Sequence, residues 1–257
     1  MMEELLVKLE QAQQDMLEGR YDEALAVHEE FNAVQSSDPT LAFIKHFALK
    51  DWGQLARVHA PARISLQKIR EREAALLRQG DVHTTAVAPG GTKAERFHDI
   101  AAMDDALGQP EATHALFLQL ESARPELAQR YFRRAFAAIL AVGDYALAHR
   151  YAPDPQAQLA AHGTRLNDIW KHLWPAPSHK VEARVLAETI GYAGEAAQLL
   201  QLMRGLGQEV ADSAALELLD ADEAKDWVAK ELAEPGAISA AMAELEMKRD
   251  QEAADTQ

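Results

Sequence analysis

The sequence predicts an all-α protein built from helical hairpins, and three observations carry that prediction. Apolar residues recur at helical spacing along almost the whole chain. The breaks between periodic segments are marked by proline and glycine. A short phrase, Gly19, Tyr21, Ala24, returns as Gly143, Tyr145, Ala148 with the same internal spacing. Each copy closes one periodic segment and opens another, as a tight turn between two helices does. No alternating apolar and polar run bounded by turn signals argues for a strand.

Composition narrows the function classes before any motif is read. The chain has 257 residues, 48% of them hydrophobic, and a net charge of −15. That balance argues against a simple nucleic-acid binder, which needs a basic face to neutralise phosphates. No stretch approaches about 18 uninterrupted apolar residues, and Glu3 and Glu4 stand where a secretory signal would carry bases. Without cysteine there is no disulfide framework and no thiolate chemistry, and the expected compartment is the cytoplasm.

The elements follow in order. Leu5, Leu9, Ala12 and Met16 form one helical stripe, and after the Gly19 turn Ala24, Val27, Phe31 and Val34 form the next. Asp38 before Pro39 reads as an N-cap followed by proline in the first turn, a device repeated at Asp154 and Pro155. A helix kinked or split at Pro61 is expected over residues 52–79, with Leu55, Val58, Ala62, Leu66 and Ile69 on its apolar side. Residues 80–92, with Thr84, Thr85, Pro89, Gly90 and Gly91, read as a long loop. Thr92 with Glu95 suits a capping box better than a phosphate loop, since Lys93 is not followed by Ser or Thr. Hairpins are expected near 5–38, 94–127, 129–152 and 178–206, the last around Gly191 and Ala196. Residues 1–207 then form one helical domain, and 208–257 an acidic, helical or partly disordered tail.

Set as the fifteenth position of a 34-residue unit, Gly108 places Phe97, Ile100, Ala101, Phe117 and Pro125 at positions four, seven, eight, twenty-four and thirty-two. This pattern resembles the tetratricopeptide repeat. Pro110 and Thr113 depart from it, standing where the family has an aromatic and a small residue. Gly143 follows Gly108 by 35 residues, which sets two hairpins in tandem. The stretch with Trp52, Pro61 and Arg70 fits no standard repeat and is similar to diverged helical-repeat proteins of bacteria. The resemblance implies antiparallel hairpins stacked into a right-handed superhelix, with a concave groove lined by the first helix of each hairpin. Carried over by repeat position, the groove residues are Glu95, His98, Asp99 and Asp105 from one hairpin and Arg130, Arg133 and Arg134 from the next.

Arginine forks suit planar carboxylates, so an acidic peptide or protein segment is one reading of the three arginines. The other is the solvated side of an amphipathic helix whose apolar side is Ala128, Phe132, Ala135 and Ile139. From Glu209 onward the chain carries 14 acids against 4 bases, around Trp227 and Val228. That tail reads either as a plug for the arginine groove or as a solubilising cap on the last repeat. A non-catalytic interaction module without cofactor or metal is therefore expected. The alternative is a small helical hydrolase or ligand-binding regulator using His98 with Asp99, or Asp168 with His172. Trp170 and Trp174 are expected to pack as core at a corner between helices.

Overall fold

The computed structural model describes residues 2–34, 39–87 and 93–243. They are helical apart from one small ribbon, and the chain divides into two compact units, Met1–Val142 and Gly143–Gln257. The described part of the acidic segment, expected as a tail from residue 208, falls in the second unit together with residues 143–207.

The first unit begins with α1 (Met2–Leu17) and α2 (Tyr21–Ala33), joined through Gly19 at φ 79°. Left-handed backbone of that kind costs a Cβ-bearing residue about 1–2 kcal/mol, hence glycine. Leu5, Leu9, Phe31, Ile44 and Ala48 close the core of this end, with Val27 and Val34 against it. The next segment corrects the expected kinked helix. It is two helices, α3 (Pro39–Val58) and α4 (Ala60–Gln79), separated by His59 in extended backbone. Pro61 sits in the first turn of α4, where its missing N–H has no intrahelical partner to lose. Across the break, the buried Trp52 Nε1 donates to the Ala62 carbonyl at 3.2 Å. Val58, expected on a continuous apolar stripe, is instead 61% exposed because the helix ends there.

Within the expected loop, β1 (His83–Val87) pairs antiparallel with β2 (Lys93–Glu95), with an irregular register between His83 and Val87. Arg96 roots this ribbon: its buried guanidinium donates to the Asp81 carboxylate at 2.7 Å and the His83 carbonyl at 2.7 Å, and also pairs with Glu73. Asp38, Pro89, Gly90, Gly91 and Thr92 lie outside the described residues. Glu95 lies in β2, immediately before α5 (Arg96–Leu107), so it is not the third helical residue that the capping box required.

Gly108 at φ 65° turns the chain into α6 (Pro110–Ala123), and α7 (Pro125–Ala141) completes the unit. Phe97, Ile100, Ala101 and Phe117 are all buried, as their repeat positions require. Phe97 stacks on Tyr131 of α7 with ring centroids 4.8 Å apart. The departure at Thr113 has a local cause. Its hydroxyl donates to Asp104 at 2.8 Å, and Arg70 of α4 holds the same carboxylate through two contacts of 2.7 and 3.0 Å. A small apolar residue there would leave the fully buried Asp104 short of one donor.

The second unit opens on the Gly143 turn, at φ 78°, and α8 (Tyr145–Tyr151). Asp144 caps α8, and Asp154 caps α9 (Pro155–Leu173) by accepting from the Ala157 amide at 2.9 Å. The hairpin expected at 129–152 is thus divided between the two units. The hairpin expected around Gly191 does not form: α10 (His179–Gly205) runs unbroken through it. Gly191 has helical neighbours on both sides and no positive φ. Trp170 is buried and donates to Thr189 at 3.1 Å, while the half-buried Trp174 lies 4.8 Å from it, ring to ring. That is the core corner expected.

The described part of the acidic segment, residues 209–243, packs onto this unit. It forms α11 (Ser213–Leu216) and α12 (Asp222–Ala233), which pack against each other and, through α12, against α10. Ala215, Leu219, Ala224, Val228 and Ile238 are buried. Asn167 of α9 clamps the connection from both sides, donating to the Leu218 carbonyl at 2.9 Å and accepting from the Asp220 amide at 3.0 Å. Glu231 accepts the amides of Gly236 at 2.7 Å and Ile238 at 3.0 Å, which folds the chain back after α12.

Candidate functional site

Four positions expected to face a ligand from the Gly108 hairpin, Glu95, His98, Asp99 and Asp105, lie at the start and along one side of α5. The helical period puts residues three, four and seven apart on a common face. On α7 the buried stripe of Ala128, Phe132, Ala135 and Ile139 leaves Arg130 and Arg133 exposed and Arg134 half-buried on the opposite side. The first unit brings these two sets together. Arg130 forms an ion pair with Glu95, and Arg134 reaches Asp105 at 2.6 Å. Arg130 and Arg134 are thus engaged by one carboxylate at the end of β2 and one on α5, which ties α7 to this segment at two points.

His98 lies between those pairs. Its Nε2 is 3.7 Å from Glu95, and its ring meets the Tyr131 ring edge-on at 5.9 Å. Partial burial against that surface, with the Arg134 charge nearby, holds its pKa below the ordinary histidine value. Asp99 is half-buried one residue further along α5, within electrostatic reach of Arg96. The Tyr131 hydroxyl is buried with no hydrogen-bond partner among the described residues, and burial raises its pKa. These groups form a polar strip in which the Arg130–Glu95 and Arg134–Asp105 pairs tie α7 to the segment around α5. His98 and Asp99 are chain neighbours, and the imidazole Nε2 approaches Glu95.

Beside the strip, a groove of about 660 Å³ is framed by α1, α3 and α5, with Tyr21 at the start of α2. Its floor is small: Gly53, Ala102 and Ala106, with Leu49 and Met16. At Gly53 a Cβ would come within 2.9 Å of Ala106, so glycine is what lets α3 approach α5 this closely. Lys50, Gln54 and Arg57 stand along its α3 side, and Asp105 belongs to both groove and strip. Apart from Asp105, these groove residues were not singled out by the repeat pattern. The available signal was the exposed series Lys50, Gln54, Arg57 at steps of four and three, opposite the buried Trp52, Leu55 and Ala56.

In the second unit, Asp168 and His172 line an open cleft of about 600 Å³ between α9 and α10, together with Arg165, Arg184 and Glu188. Their expected pairing takes another form. His172 Nδ1 donates to the backbone carbonyl of Asp168 at 2.7 Å, so the imidazole is held by the helix rather than by the carboxylate. Arg165 is paired with Glu188 at 2.8 Å. A general base oriented by an acid needs the carboxylate itself within hydrogen-bond reach, which this geometry does not supply. Among the described residues no group of three His, Asp or Glu side chains is placed to hold a metal ion. No helix of the described residues is long and apolar enough to cross a membrane. Compared with known proteins, the chain matches no family model, no curated sequence and no solved structure.

Proposed function

We propose that the first unit is a non-catalytic protein- or peptide-interaction module, a diverged relative in architecture of tetratricopeptide-repeat hairpins. Three consecutive hairpins support the reading: α1 with α2, α3 with α4, and α5 with α6, each followed by a first helix that packs on the preceding pair. The segment that fitted no standard repeat supplies the middle hairpin, with a one-residue turn at His59 in place of glycine. In such a stack the first helices share one side, and most residues of the polar strip and the groove come from first helices, joined by Glu95 of β2 and Tyr21 of α2. The observation that carries the proposal is this coincidence of an ion-paired strip and an open groove on α1, α3, α5 and α7.

A partner carrying carboxylates would exchange Glu95 and Asp105 for its own acids at Arg130 and Arg134. Such an exchange is nearly neutral in water, so it favours recognition over high affinity. The reading places the protein in the cytoplasm, where a cysteine-free helical module needs no oxidising environment. It is tested by affinity capture with the full chain and with the Arg130→Ala, Arg133→Ala, Arg134→Ala variant. Loss of the captured partners in the variant, together with weakening by salt, supports the proposal. Recovery of the same partners at the same yield removes the strip from it.

A further inference from the structure

We infer that the groove framed by α1, α3 and α5, with Tyr21 of α2 at its edge, is a docking site for an extended peptide segment with a large apolar side chain flanked by carboxylates. The inference deepens the reading of the first unit as an interaction module, but it rests on different residues. Its size, about 660 Å³, lies in the range of sites that enclose small ligands or side chains. The floor of Gly53, Ala102 and Ala106 leaves an apolar depression, since no side chain larger than a methyl group rises from those three positions. At its end Val58 is 61% exposed, although the neighbouring Leu55 and Ala56 are buried. The apolar surface therefore continues out of the groove.

Charge selects the occupant. The chain as a whole carries 41 acids against 26 bases, yet the cations on the groove's α3 side, Lys50 and Arg57, have no carboxylate partner among the described residues. The groove's acid, Asp105, is already held by Arg134. The result is a locally cationic, apolar-floored trough on an acidic protein. Lys50 and Arg57 are two helical turns apart, about 10 Å along α3. An extended peptide advances roughly 3.3 Å per residue, so carboxylates about three residues apart would meet both cations. A large apolar side chain between them would lie over the Gly53 and Ala106 floor.

The test is selection of a random heptapeptide library on the immobilised full chain, followed by fluorescence anisotropy with the enriched peptides. The expected result is enrichment of Asp or Glu spaced about three residues apart around Leu, Ile, Met or Phe. The Lys50→Glu, Arg57→Glu variant should bind these peptides at least tenfold more weakly. Ala102→Trp, which fills the trough, should do the same while keeping its helical circular dichroism. Lys68→Glu with Arg72→Glu on α4 changes the net charge equally and should leave binding within about twofold. Enrichment of basic peptides, or binding unaffected by the Lys50 and Arg57 reversals, overturns the inference. If binding is instead lost only in the Arg130, Arg133, Arg134 variant, the groove fails and the strip stands. Loss only in the Lys50, Arg57 variant gives the converse, and a library that enriches nothing removes both.

Discussion

Asp104 is fully buried, and its carboxylate is shared by Arg70 from α4 and Thr113 from α6. Arg70 also donates to the Ala112 carbonyl at 3.1 Å, so one guanidinium spans three helices. The perturbation with the sharpest expectation is Asp104→Asn. It keeps the shape, removes the charge, and leaves the Arg70 side chain, itself only 11% exposed, without its counterion. Breaking a buried pair in this way costs about 3–5 kcal/mol, because the remaining charge stays desolvated. For a unit of this size that corresponds to a fall in Tm on the order of 10 °C. Thr113→Val, which removes a single donor to a charged acceptor, should cost about 1.5–3 kcal/mol. The double variant Arg70→Met, Asp104→Leu removes both desolvation costs and should return to within roughly 1 kcal/mol of the parent. Urea unfolding provides the stabilities, and hydrogen exchange of peptides from 60–123 shows that the loss lies in the first unit. A cost below about 1 kcal/mol for Asp104→Asn, or a double variant as unstable as the single, would refute the reasoning.

Other expectations follow from contacts of the same kind. His28 is buried and stacked on Trp52 at 5.6 Å, and burial lowers its pKa to about 4 from 6.5. Between those values the unfolded chain holds a proton that the folded one refuses, so stability is complete above pH 6.5. As pH drops toward 4 it declines, by about 3 kcal/mol in all. His28→Phe should flatten that part of the pH profile in calorimetry. Gly205→Ala would push a Cβ to within 2.3 Å of the Tyr145 ring, and should cost at least about 2 kcal/mol in a thermal melt. Glu231→Ala removes the acceptor for two amides and should speed hydrogen exchange at Gly236 and Ile238, while exchange within α9 stays unchanged.

The repeat pattern made the elements with a glycine turn legible, because a left-handed residue after an apolar stripe leaves a mark in the sequence. Gly19, Gly108 and Gly143 all hold positive φ where the phrase places them. The same rule misled at Gly191, whose place inside α10 needs no turn; glycine is tolerated in a helix that is packed along its length. The break between α3 and α4 was hidden for the opposite reason. Its turn is the single residue His59, and Pro61, a breaker in a continuous helix, is an ordinary first-turn residue once the helix begins at Ala60. The ribbon at 83–95 was illegible because its first strand is five residues long and shows no alternation. It is held at its root by Arg96, a contact between distant positions that local periodicity cannot report. Of the site, the repeat positions placed Glu95, Asp105, Arg130 and Arg134 on facing sides of two helices. They did not show that these residues would pair with one another.

That pairing changes what the arginines can do. As sequence, three arginines within five residues look like an unsatisfied cationic patch awaiting an acid. As structure, Arg130 and Arg134 each have one, Glu95 at the end of β2 and Asp105 on α5; at the solvent-facing Arg134–Asp105 pair such an interaction is worth about 0–1 kcal/mol. A ligand acid competing for either arginine must first displace a tethered one, so the strip contributes selectivity and salt dependence rather than a large share of affinity. Between residues 209 and 243 the acidic segment is committed in the same way, since Ala215, Leu219, Ala224, Val228 and Ile238 are buried. A peptide that binds tightly to the first unit must therefore find its free energy in buried apolar surface. The trough at Gly53, Ala102 and Ala106 offers that surface beside Lys50 and Arg57, cations that no described carboxylate occupies.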